Sequence, residues 1–158
     1  MDWKPGLILR IKDYNFEDDN SIRDKYTIVL YTNNKEAYLI HSLTTTQNNL
    51  SVSGLKYGCS VHKNFLPYYF FPKGQIIGDE NFSFEKDTFI FFSSNVRKET
   101  FSKFQAAEKK SIFGVITLGV LSNDELKRIL KCALKSKFIP LVIEKELATF
   151  KKYLNSNT

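Results

Sequence analysis

The run Tyr38-Leu-Ile-His-Ser-Leu43 is an apolar strand signal that leads directly into Thr44, Thr45, Thr46, Gln47, Asn48 and Asn49. Hydroxyls and amides gathered at the end of a rigid element can be presented to a polar ligand by the loop that follows. Side chains two apart on a strand share a face, which sets His41, Leu43 and Thr45 on one side and Ser42, Thr44 and Thr46 on the other. Tyr26-Thr-Ile-Val-Leu-Tyr31 is β-branched and aromatic, and Asn33-Asn34 is a turn signal before the next strand, Ala37 to Leu43. The two predict a hairpin, whose geometry lays the Lys25 end beside the Leu43 end. Arg23 and Lys25 then stand near Thr44 to Gln47, and cations, hydroxyls, amides and one imidazole together make a seat for a phosphodiester. Strand-end threonines also satisfy turns, and a single strand histidine is more often structural than catalytic.

The elements that must position these groups are short. Gly6 to Lys12 alternates and predicts a first strand, followed by a polar, acidic loop over Asp13 to Asp24. Asn49 to Lys63 is weakly periodic, punctuated by Gly54 and Gly58, and predicts loop with at most a short strand. Tyr68 to Phe71, Gln75 to Ile77 and Thr88 to Phe92 are buried strand signals. The period changes at Val96, where Val96, Thr100, Phe104 and Ala107 share one helical face and predict a helix to Lys110. Gly114 to Gly119 is a last strand or an extended connection. Ser122-Asn-Asp-Glu125 fits a capping box, in which the serine hydroxyl and the glutamate carboxylate each accept from a free backbone N–H. Leu126, Ile129, Leu130, Ala133 and Leu134 continue it as an amphipathic helix, and Ile143, Leu147, Phe150 and Leu154 define another after Pro140. The reading is one α+β domain over 1–158: a small, strongly bent barrel of about five to seven strands over about 4–120 with a helix near 96–110, and two C-terminal helices over about 122–154.

With 42% hydrophobic and 25% charged residues in 158, the composition is that of a globular chain able to bury one core, and it argues against a disordered tail. No apolar run reaches the roughly 20 residues of a membrane span, and the start, Met-Asp-Trp-Lys-Pro, lacks a signal-peptide pattern, so no membrane association and a cytoplasmic location are expected. Cys59 and Cys132 lack CxxC spacing and companion histidines, which predicts free thiols and no metal. The net charge of +6 invites a nucleic-acid reading. Residues 1–95 hold 10 lysines and arginines against 11 acids, whereas residues 96–158 hold 13 against 6, so the excess lies on the helical third and reads first as solvated helix faces.

In the order of its features the chain resembles the MazF/PemK (Kid-like) toxin family of toxin–antitoxin systems, whose members are SH3-like barrels acting as RNA endonucleases. Gly6-Leu-Ile-Leu matches the opening strand, Asp13 to Asp24 the long first loop, and Leu43-Thr-Thr-Thr-Gln47 the Thr-Thr-Gln segment. Lys25-Tyr-Thr-Ile-Val-Leu30 stands where the family has Arg-Pro before an apolar strand, and Leu118 to Leu126 resembles the final turn and capped helix. The likeness covers about residues 4 to 136 and rests on order and spacing. It implies a catalytic threonine at Thr45 and a catalytic cation at Lys25, where the family has arginine; Arg23 can reach the same site from two residues away. Glu85 lies near a position where some members carry an acid. The implied reaction is metal-independent and cofactor-free cleavage of single-stranded RNA by the ribose 2′-hydroxyl, with growth inhibition as its consequence. His41 is then a candidate base or acid, since its ordinary pKa lies near neutrality, while Lys25 or Arg23 stabilises charge and Thr45 donates to the phosphoryl oxygen. Thr44, Thr46, Gln47, Asn48 and Asn49 would contact the RNA, and Tyr68 to Phe71 either stack bases or fill the core. A homodimer and a cognate antitoxin peptide are the implied partners. The alternatives are a catalytically inactive barrel that binds protein or RNA, with Lys25 in place of arginine as the hint, and an adaptor whose basic helical third holds nucleic acid.

Overall fold

A computed structural model of the chain describes residues 1–14, 23–48, 53–62, 66–110 and 114–157, with the backbone alone at Asp13, Tyr14, Arg23, Lys109 and Lys110. The middle of the acidic loop, 15–22, and Asn49 lie outside the described residues.

Among the described residues, eight antiparallel strands form two sheets. The first, in the order β7-β3-β2-β1-β8, is built from β1 (Leu7–Tyr14), β2 (Arg23–Asn33), β3 (Tyr38–Leu43), β7 (Val96–Thr100) and β8 (Val115–Val120). The second, β4-β5-β6, is built from β4 (Gly58–Val61), β5 (Pro67–Phe71) and β6 (Thr88–Phe91). Of two isolated bridges, Thr45 to Phe89 ties the end of β3 to the second sheet, and Gly78 to Leu121 ties the segment before residues 79–81 to the end of β8. The closed barrel expected from the run of short strands is not formed: β7 and β8 are opposite edges of the five-stranded sheet. Strand spacing suggested about five to seven strands where eight are described, and it leaves open which edges meet.

The first sheet is covered on both faces, which explains why its strands read as nearly continuous apolar runs. Ile8, Ile28, Leu30 and Ile40 face the main core with Tyr69, Phe71 and Ile90 of the second sheet and with Phe92, which follows β6. Leu9, Ile11, Val29 and Leu39 face the other way, against Trp3, Phe101 and Phe104. The Trp3 ring stacks on Phe101 at 5.2 Å and meets Phe104 edge-on at 5.3 Å. The second sheet's outer aromatics, Tyr68, Phe70, Phe89 and Phe91, form a small core of their own under Leu55 and Leu66. Tyr68 to Phe71 are therefore buried, and core filling, not base stacking, is their role.

The hairpin of β2 and β3 forms, with Thr27 opposite Leu43. The helix α1 (Phe101–Lys110) begins five residues later than the periodicity suggests. Val96 to Thr100 instead pairs with β3, from Ser42↔Val96 to Tyr38↔Thr100. A four-residue apolar spacing suits a helix, but β3 presents an edge of backbone donors and acceptors that must be met, and pairing satisfies them. Gln75 to Ile77 is not a strand; it leads to a short 3₁₀ turn, Asp79–Asn81, where Glu80 and Asn81 have φ of 56° and 58°. Gly78 lies so close to β8 that a Cβ there would run into the Val120 carbonyl oxygen, which is what permits its bridge to Leu121.

Helices α2 (Asn123–Ala133) and α3 (Leu141–Ser156) pack on the main core through Leu126, Ile129, Leu130, Ile143 and Leu147. The Ser122 hydroxyl accepts from the Glu125 N–H at 3.2 Å, as a cap should. The other half of the capping box is absent, because Glu125 is fully buried and its carboxylate accepts from the Tyr57 and Tyr69 hydroxyls and from Arg128. Burial and the bond to Glu125 push the Tyr57 hydroxyl up to about 12. Arg128→Ala removes the cation paired with this buried carboxylate and should lower stability by about 2–3 kcal/mol, read from the denaturant midpoint at unchanged slope. Glu125→Gln in the same background should recover part of the loss.

The cysteines are also corrected. Cys59 on β4 and Cys132 on α2 form a disulfide, with Cα atoms 5.6 Å apart across a sequence separation of 73. Their sequence spacing carried no sign of this, since the packing of α2 against β4 and β5 creates the proximity. Among the described residues no helix is long and apolar enough to cross a membrane.

Candidate functional site

Where β3 ends, the chain leaves the first sheet and attaches to the second. The Thr44 N–H donates to the Tyr26 carbonyl at 3.0 Å, with its hydroxyl directed to the same oxygen at 3.3 Å. One residue on, the Thr45 N–H donates to the Phe89 carbonyl at 3.0 Å and the Phe89 N–H returns a bond to the Thr45 carbonyl at 2.8 Å. Thr45 is thereby held by its backbone between the two sheets, a stiffer mounting than a loop tip provides.

This junction borders a cleft of about 490 Å³ lined by Lys25, Thr44, Thr45, Thr46 and Gln47 together with Asp24, Glu85 and Lys86. Phe82, Phe84 and Leu118 form its apolar wall. The Phe82 ring lies over Gly119, where a Cβ would fall 2.9 Å from the ring, so the glycine allows this wall to sit against β8. Bonds from the Ile77 N–H to the Phe82 carbonyl, 2.9 Å, and from the Gly74 N–H to the Phe84 carbonyl, 3.0 Å, fix the segment that carries Glu85 and Lys86.

The chemistry available in the cleft follows from these side chains. Lys25, half-buried, and Lys86, exposed, are cations, while Glu85 is an exposed carboxylate. Asp24 is engaged by Arg10 at 2.7 Å. The Thr45 hydroxyl oxygen accepts from the Gln47 N–H at 3.2 Å, which closes a small turn and leaves the hydroxyl hydrogen for donation to a ligand. Thr46, Gln47 and Asn48 are exposed, though Asn48 is not among the residues lining the cleft. The backbone of Arg23 opens β2, and its side chain lies outside the described residues.

His41 is elsewhere. It is fully buried between β3 and α1, its ring edge-on to Phe104 at 5.2 Å, and it does not reach the cleft. The Thr27 hydroxyl donates to the Ser42 carbonyl at 2.8 Å, so it accepts from His41 Nδ1–H at 2.7 Å, which fixes the neutral tautomer. Nε2 has no hydrogen-bond partner among the described residues. Burial, reinforced by the charges of Arg97 and Lys103, lowers the His41 pKa to about 3. The expected base or acid is thus a neutral core imidazole. The alternation that put His41 and Thr45 on one face stops at Leu43, the last residue of β3, after which Thr45 pairs with the other sheet.

Lys86, Phe82, Ser83, Phe84 and Asp24 are lining residues that sequence reasoning did not single out. For Glu85 the only sequence signal was its nearness to a position where some members of the resembled family carry an acid. No local pattern joins residues 82–88 to 44–47; the Thr45 to Phe89 bridge does so. Comparison with family models, with curated proteins and with solved structures found no match to this chain.

Proposed function

We propose that the Lys25–Thr45 cleft cleaves single-stranded RNA without a metal, in the manner of MazF/PemK-like toxins, and that the two-sheet fold is an opened form of their SH3-like barrel. The observation that carries this reading is that Lys25 and Thr45, onto which the resemblance carries the family's catalytic pair, line one cleft with Glu85 and Lys86. A phosphodiester seated there would meet both ammonium groups, and the Thr45 hydroxyl would donate to a non-bridging oxygen. The Glu85 carboxylate takes the proton of the ribose 2′-hydroxyl as its oxygen attacks phosphorus. The bond to the 5′ oxygen breaks, that oxygen takes a proton from solvent, and the products are a 2′,3′-cyclic phosphate and a 5′-hydroxyl. Gln47 and Asn48, exposed beside the cleft, would read base edges. The same reading expects a cytoplasmic homodimer, growth arrest on expression and neutralisation by an antitoxin peptide.

A binding module without catalysis is the second reading. It is favoured by the Thr45 hydroxyl's part in the turn at Gln47 and by lysine standing where the family has arginine. Thr45→Ala separates the two. Under the enzyme reading it lowers cleavage of a single-stranded RNA by about 10²-fold while RNA binding changes little. Intact RNA with the unaltered protein, together with salt-sensitive binding, would establish the binding module instead.

A further inference from the structure

A second cleft, of about 420 Å³, is lined by Tyr57, Cys59, Arg128, Lys131, Cys132 and Lys135 among others, and shares no lining residue with the Thr45 cleft. The two cysteines of its disulfide differ in burial. Cys132 is fully buried on α2, whereas Cys59 is exposed on β4. Arg128 is committed to the buried Glu125, so its charge is largely met inside the protein. Lys131 and Lys135, both exposed, remain as the positive groups at the cleft, and no carboxylate is among its lining residues. Such a site concentrates anions, and an anion with a thiol group finds there a disulfide whose exposed residue, Cys59, lines the same cleft.

We propose that the Cys59–Cys132 disulfide is an exchange site for small anionic thiols, drawn to it by Lys131 and Lys135, with Cys59 as the sulfur that becomes S-thiolated. The incoming thiolate attacks Cys59 Sγ, forming a mixed disulfide as the Cys59–Cys132 bond breaks. The electron pair leaves with Cys132 Sγ, which takes a proton. A second thiol attacks the small-molecule sulfur of the mixed disulfide, releasing the Cys59 thiol and a symmetrical small disulfide; two thiols are oxidised and one protein disulfide is reduced. The direction of attack follows from exposure, because a buried sulfur offers no approach. Once the bond opens, the four-residue strand β4 loses its covalent tie to α2 and keeps its pairing with β5 and the neighbouring Tyr57–Glu125 hydrogen bond. A reducing compartment would then set how firmly β4 is tied to α2.

The test uses the folded, oxidised protein at fixed pH and low salt. Initial rates of disulfide opening are measured with glutathione, which is anionic, 2-mercaptoethanol, which is neutral, and cysteamine, which is cationic. In Lys131→Glu/Lys135→Glu the glutathione rate should fall about tenfold, the 2-mercaptoethanol rate should stay within about twofold, and the cysteamine rate should rise. Comparing each thiol with itself cancels its intrinsic reactivity. Lys131→Gln/Lys135→Gln should give the same order with smaller changes, and about 0.5 M salt should remove the glutathione preference in the unaltered protein. Peptide mass spectrometry should find the adduct on Cys59. Equal changes for all three thiols, a salt-independent rate, an adduct on Cys132, or opening only on unfolding would each overturn the assignment.

Discussion

Lys25→Ala lowers the rate of RNA cleavage by about 10²- to 10³-fold, the range found when one charge-stabilising donor is removed from a transition state. The loss should fall on kcat, because Lys86 remains in the cleft to hold a phosphate in the ground state. Lys25→Arg is the more discriminating change. A guanidinium offers a planar pair of donors to the phosphorane oxygens where an ammonium offers a point charge, so cleavage should increase severalfold. Single-turnover rates of both variants on one single-stranded RNA check this. A Lys25→Ala protein cleaving at the original rate would remove Lys25 from the mechanism.

Acid should destabilise the protein through His41, well above the range where exposed carboxylates titrate. The imidazole binds its proton at an ordinary pKa of 6.5 when unfolded and at about 3 in the core. Between those values the unfolded state holds more protons, so the stability present above pH 6.5 is lost as pH falls towards 3. The slope approaches 1.4 kcal/mol per pH unit, so about 2 kcal/mol should be lost between pH 7.5 and 5. Arg97 and Lys103 act in the same direction as burial, disfavouring the charged ring. Denaturant unfolding at the two pH values measures the loss. His41→Gln keeps a neutral donor for Thr27 and should have a shallower pH dependence, even if it is less stable at pH 7.5. Parallel pH dependences in the two proteins would show that His41 is not the group responsible.

Local order was legible where the chemistry that produces it is local. The β2–β3 hairpin follows from a β-branched run and an apolar run around Asn33-Asn34, and the start of α2 follows from Ser122. The placement of Lys25 beside Thr44 to Gln47 required only that hairpin, which is why half of the cleft could be anticipated. The other half could not, because Glu85 and Lys86 arrive through a bridge to Phe89 that belongs to the second sheet. His41 was misplaced for a related reason: period-two alternation holds only while the strand lasts, and β3 ends before Thr45. The disulfide and the burial of Glu125 likewise depend on α2 lying against β4 and β5, a packing event with no signature in residue spacing. Val96 to Thr100 shows the limit from the other side, since the same apolar spacing serves a helix or an edge strand until β3 is known to need a partner.

The central claim is that the Lys25–Thr45 cleft performs 2′-hydroxyl attack on a phosphodiester, and the end groups of the product test it most directly. A single-stranded RNA is incubated with the unaltered protein in EDTA and the fragments are analysed for their termini. Fragments ending in a 2′,3′-cyclic phosphate and beginning with a 5′-hydroxyl, formed about 10²-fold more slowly by Thr45→Ala, are the expected result. RNA left intact, or fragments carrying a 5′-phosphate, would contradict it.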